Sequence, residues 1–187
     1  DRQVTVSRVN GTFTYPANFM FAASMNPCPC GYYGSKEKEC TCSPSAIAKY
    51  MGKISGPLLD RIDICIEVSP VKYKNLENTD KIETSEEIKK RVDRARQIQT
   101  KRNKEVGILS NSELTPKLID KYCALDEKGK QILENAFNKL KLSARAYGRI
   151  LKVARTIADL EECKNIEVKH IAEAIQYRSL DRKYWAN

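Results

Sequence analysis

Two cysteine pairs, Cys28-x-Cys30 and Cys40-x-Cys42, stand nine residues apart in one loop. Four thiolates at about 2.3 Å from a common ion make a closed tetrahedral zinc site, structural because no ligand position stays open. Pro29 and Gly31 bend the chain between the pairs, and the loop has too few apolar residues to fold on a core of its own. A metal would supply that missing cohesion. Zinc is the expected ion, although its usual pairs are spaced C-x2-C, so free thiols or another metal fit the same residues. Cys65, Cys123 and Cys163 are isolated and read as packing residues.

Asn26 closes the apolar run FMFAASM and is followed by a forced turn at Pro27. At the carboxyl edge of a buried strand a carboxamide can orient a water or touch a phosphate. A turn-capping Asn before Pro explains the same residue. Arg61 follows Gly56-Pro57 and is flanked by Asp60 and Asp63, so it is either a guanidinium presented on a tight turn or half of a local ion pair. Arg145, Arg149 and Lys152 fall on neighbouring helical turns, and Lys89, Lys90, Arg91, Arg94 and Arg96 crowd another helix. Both sets suit phosphate, and both suit a solvated face. His170, the only histidine, has no ligand pattern around it and reads as structural.

The elements that carry these residues follow from period and punctuation. Alternating Val and Thr around Asn10-Gly11 predict a hairpin over 3–15. The apolar run 19–23 predicts a strand covered on both faces, and the alternation of Ile62, Ile64, Ile66 and Val68 predicts another, stopped by Pro70. Between them, Ser43-Pro44 starts a helix that runs to Gly56-Pro57. Residues 73–83 carry no period and read as a linker.

Thr84 through Glu87 form a capping box, with Ile88, Val92, Ala95 and Ile98 as the buried stripe behind it. Further helices are predicted after Thr115-Pro116, around Ile132 to Leu140, from Ser143 with Tyr147, Leu151, Ala154 and Ala158 buried, and around Ile171 to Ile175. The fold class is α/β plus all-α: an α/β part over 1–72, the linker, and a helical bundle over 84–187.

Lys and Arg number 33 against 24 Asp and Glu, a surplus of +9 across 187 residues that favours polyanionic partners. No apolar run approaches the roughly 18 residues of a membrane span, and a cytoplasmic location without membrane contact is expected. The chain does not open on Met and is expected to be a piece of something longer.

Taken in order, MNPCPCG, SGPLLDRID, SARAYGRILKVARTIADL and HIAEAIQYRSLDR resemble the magnesium-chelatase-like AAA+ ATPases of the competence-protein ComM/YifB type. The resemblance implies the C-terminal part of an AAA+ α/β sheet module followed by a helical lid. It makes Asn26 the sensor-1 residue beside the attacking water, Arg61 the arginine finger that reaches a neighbouring subunit's ATP, and Arg145 the sensor-2 arginine that touches the nucleotide of its own subunit. The hairpin becomes an insertion before sensor 1. The cofactors implied are ATP and Mg²⁺, with zinc at Cys28, Cys30, Cys40 and Cys42. The partners implied are further copies in a hexameric ring, with DNA as the substrate of the parent protein.

One departure is large. No G-x-x-x-x-G-K-[ST] occurs, and no apolar strand ends in the acidic pair that would hold Mg²⁺. The chain alone is therefore expected to be inactive, and its truncated sheet to self-associate through residues 1–70. Two other readings stay open: a zinc-stabilised nucleic-acid-binding module without enzymatic activity, and a magnesium-chelatase subunit.

Overall fold

A computed structural model describes residues 3–69 and 83–185, with side chains through Arg178. The chain divides into two compact units, residues 1–50 and 51–187. The expected linker over 73–83 lies outside the described residues except for Glu83.

In the first unit, β1 (Gln3–Arg8) and β2 (Gly11–Pro16) pair antiparallel, Val4 opposite Tyr15 and Val6 opposite Phe13. The opposite face is a hydroxyl ladder, Thr5 with Thr14 at 3.1 Å and Ser7 with Thr12 at 3.2 Å. The turn centres on Val9 and Asn10, one residue earlier than Asn10-Gly11 alone suggests. Neither residue takes positive φ; Gly11 does, at 144°, opposite Arg8. The mirror-image turn that Asn-Gly favours is thus not formed.

The cysteine loop follows, then α1 (Pro44–Met51), whose first turn is capped by Ser43 Oγ accepting the Ala46 N–H at 3.3 Å.

Two expected strands do not form. Residues 19–23 and 62–68 carry no strand structure, and the sheet among the described residues is β1–β2 alone. A strand exists only where a neighbour exchanges ladder bonds with it. Within the described residues these segments have none, and Phe19, Met20, Phe21, Ile64, Ile66 and Val68 are exposed.

The second unit is helical: α2 (Gly56–Leu59), α3 (Ser85–Asn103), α4 (Pro116–Tyr122), α5 (Glu127–Lys139), α6 (Ala144–Leu160) and α7 (Val168–Trp185). The capping box at α3 is complete, Glu87 N–H to Thr84 Oγ1 at 3.3 Å and Thr84 N–H to Glu87 Oε2 at 2.8 Å. Ser143 caps α6 through the Ala146 N–H at 3.2 Å.

Helix α6 is the axis of the bundle. Its Ile150, Leu151, Ala154, Ile157 and Ala158 pack against Leu133 of α5, Ile119 of α4, and Ile171 and Ala174 of α7. Two parts of the predicted stripes are not core. Ile88 and Val92 of α3 are exposed, because only Ala95, Gln99 and Asn103 of that helix are buried. Tyr147 of α6 is also exposed, lining an open groove with Leu125, Leu133 and Phe137.

Candidate functional site

The loop of the first unit gathers all four predicted cysteines. Their sulfurs lie within 4.8 Å of one another. Cys28 to Cys30 is 3.3 Å, Cys30 to Cys40 is 3.5 Å and Cys28 to Cys40 is 3.7 Å. Four ligands at about 2.3 Å from a tetrahedral ion stand ~3.8 Å apart, so small outward shifts complete the geometry.

Backbone direction makes these sulfurs fit for thiolate chemistry. A turn closed by Gly31 N–H to Cys28 O at 3.0 Å, with Gly31 at φ 85°, aims the following amides inward. The Tyr33 N–H reaches Cys28 Sγ at 3.3 Å. The Tyr32 N–H, with help from Cys28 and the Thr41 N–H, pulls the Cys30 thiol down to about 5. At Cys40 the Cys42 N–H also lowers the value, but burial and the adjoining Cys30 and Cys28 sulfurs outweigh it and push the thiol up to about 12. Packed negative sulfurs cannot all ionise without a cation, and a divalent ion removes that conflict. The residues present therefore fit a structural zinc ion.

Asn26 lies just before this loop, its side chain exposed and without a hydrogen bond among the described residues. A Cβ added at Gly31 would stand 3.8 Å from its Nδ2, so the amide borders the cysteine turn.

Arg61 and Arg145 belong to the second unit. Arg61 is exposed, and its Nη1 donates to the Pro57 carbonyl one turn back at 2.7 Å. The local ion pair that its flanking aspartates suggest is not made. Asp60 instead faces Arg178 Nη2 at 3.6 Å, and Asp63 accepts from Arg149 Nη1 at 2.5 Å.

Arg145, in the first turn of α6, is exposed and has no polar partner among the described residues. Its predicted companions are engaged elsewhere, Arg149 with Asp63 and Lys152 with the Ser112 carbonyl at 3.0 Å. Among the described arginines of this unit, only Arg61, Arg96 and Arg145 lack a carboxylate partner. On α3, Arg91 pairs with Glu83, Arg94 with Glu162 and Lys90 with Glu86.

Sequence reasoning missed the buried polar hub of the bundle. Asp159, fully buried, accepts from Arg102 at 2.6 and 2.7 Å, Arg155 at 3.0 Å and Asn111 at 2.8 Å. The Arg102 pair spans α3 and α6, and no local pattern announces it. Arg155 also donates to the carbonyls of Cys163 and Lys164, which fixes the turn out of α6.

Cys163 is not isolated; with Glu161 and His170 it forms a second N, S and O grouping. The Lys169 ammonium already contacts the same Glu161 oxygen that faces His170 Nε2, and His170 Nδ1 accepts the Glu167 N–H at 2.9 Å. Lys169 first, then His170, hold the Glu161 carboxyl below its ordinary range. The group serves as the start of α7, as expected of a structural histidine.

Two family models cover nearly the whole chain. Residues 1–76 match magnesium chelatase, subunit ChlI, and residues 82–178 match the C-terminal part of the same subunit. The chain belongs to the magnesium chelatase ChlI family.

Within that family, the chain is 42% identical over 181 residues to competence protein ComM of Haemophilus influenzae, covering 96% of this chain and 34% of that protein. It is 40% identical to YifB of Salmonella typhimurium and 37% identical to YifB of Escherichia coli, each across 96% of this chain and 35% of the relative. The chain thus spans about a third of the length of these curated relatives. No described helix of this family member is long and apolar enough to cross a membrane.

Proposed function

We propose that this chain is the C-terminal part of the motor of a ring-forming, cytoplasmic AAA+ ATPase that acts on DNA. In this reading residues 1–72 belong to the nucleotide-binding module and 84–187 form its lid. Asn26 orients the attacking water, Arg61 reaches the γ-phosphate bound by the next subunit, and Arg145 contacts the nucleotide of its own subunit. When bound, ATP with Mg²⁺ supplies the phosphoryl group to be transferred. The chain's own residues supply positioning and charge. The cysteine loop, held by zinc, braces the segment that carries Asn26.

The observation that carries the reading is the contrast among arginines. Arg91, Arg94, Arg102, Arg149, Arg155 and Arg178 all face carboxylates, whereas Arg61 and Arg145 are exposed and have none among the described residues. Guanidinium groups left without a carboxylate, Arg61 on the turn after α2 and Arg145 on the first turn of α6, suit an anionic ligand. The DNA part is supported by ComM being named a competence protein and by Arg96 and Lys101 of α3 and Lys104 just after it, which line one open face together with Asp93. Exposed cations without a carboxylate partner among the described residues suit a phosphate backbone.

In the full-length protein, Arg61→Ala is expected to abolish ATP hydrolysis while leaving binding of a fluorescent ATP analogue within about twofold. Arg145→Ala should weaken both. Near-normal turnover in Arg61→Ala would overturn the assignment.

A further inference from the structure

The segment after α2 does not hang from the bundle by chance contacts. Arg178, only 1% exposed on α7, directs Nη1 to the carbonyls of Leu59, at 3.3 Å, and Ile62, and faces Asp60 with Nη2. Three residues further, Cys65 N–H donates to the Tyr177 carbonyl at 3.0 Å. Between them, Asp63 is gripped by Arg149 of α6 at 2.5 Å. The backbone on both sides of Arg61 is thereby fixed by two helices of the bundle. Among the described residues, the Arg61 side chain itself is held by the exchangeable bond to Pro57 O alone.

Arg149 is one helical turn from Arg145. Residues four apart on a helix share a face, so a displacement of Arg145 along α6 is transmitted to Arg149 as a rigid-body movement. Buried Ile150, Leu151 and Ala154 make that helix a unit rather than a hinge.

We propose that Arg149 and Arg178 are positioning residues for Arg61, and that the Arg149–Asp63 pair couples occupation of a subunit's own nucleotide site, sensed at Arg145, to presentation of Arg61 to the neighbour. This rests on the roles given above to Arg61 and Arg145. The guanidinium fork of Arg178 sets where the turn lies, and the Arg149–Asp63 link sets how the turn follows α6. One helix thus serves two active sites, its own through Arg145 and the next through Asp63.

The test uses the full-length protein with Arg149→Asp, Asp63→Arg and the double reversal, beside Arg61→Ala. Each single reversal should lower kcat about tenfold with KM for ATP within about twofold, and the double should regain most of the loss. Arg178→Lys, which keeps the charge but not the fork, should lower kcat in the same way. Amide hydrogen exchange over 59–65 should quicken in each single reversal and slow again in the double. Single reversals that turn over normally in a protein where Arg61→Ala is inactive would overturn the coupling and leave the finger intact. A double that fails to recover both kcat and exchange would overturn the pairing. Normal turnover in Arg61→Ala would instead remove the reading on which the coupling rests.

Discussion

Asp159 and Arg102 meet through two bonds, 2.6 and 2.7 Å, inside a bundle where Asp159 has no exposed surface. The pair joins α3 to α6, and Arg155 and Asn111 complete the coordination of the carboxylate. Removing one side of a buried ion pair leaves an uncompensated charge, which costs far more than the intact pair contributes. Asp159→Ala should therefore destabilise the protein by about 3–5 kcal/mol in urea unfolding at neutral pH. A loss below about 1 kcal/mol would show that Arg102 and Arg155 find other acceptors or water.

The cysteine loop predicts one zinc per chain, measured by plasma mass spectrometry on protein prepared without added metal. Cys28, Cys30, Cys40 and Cys42 should resist a thiol reagent until a chelator is added, and Cys40→Ser should lose the ion. Four rapidly reacting thiols and no metal would remove the brace from Asn26.

Acid should loosen the start of α3. The Thr84 N–H, then the Thr84 hydroxyl, hold the Glu87 carboxyl below its ordinary value of 4.5. A value lower in the folded than in the unfolded chain means that the capping box stabilises the fold fully above about 4.5 and loses that contribution as pH falls through the folded value. Stability of the native protein should drop over that window, and Glu87→Gln should flatten this part of the profile. An unchanged profile in Glu87→Gln would show that the box contributes nothing measurable.

What could be read from the residues was local. Ser43, Thr84 with Glu87, and Ser143 announced three helix starts because a cap is decided within four residues. The four cysteines announced their cluster because two short pairs leave the loop little choice. The segments 19–23 and 62–68 form no strand because a continuous apolar run in the first, and an alternation in the second, specify faces to bury but not the partner that would cover them. Ile88 and Val92 show the same limit: a stripe at helical spacing became buried only from Ala95 onward, where α3 meets α6. Arg178 and the carbonyls it holds are separated by more than a hundred residues. No spacing rule reaches that far.

The central claim is that Arg61 completes the neighbour's site and Arg145 its own. Mixing full-length Arg61→Ala with full-length Arg145→Ala tests it most directly, because each variant keeps the residue that the other lacks. Both variants should be impaired alone, and mixed rings should recover ATP turnover at every interface where an intact Arg145 site meets an intact Arg61. Mixed rings that form, yet hydrolyse no faster than the two variants apart, would contradict the account.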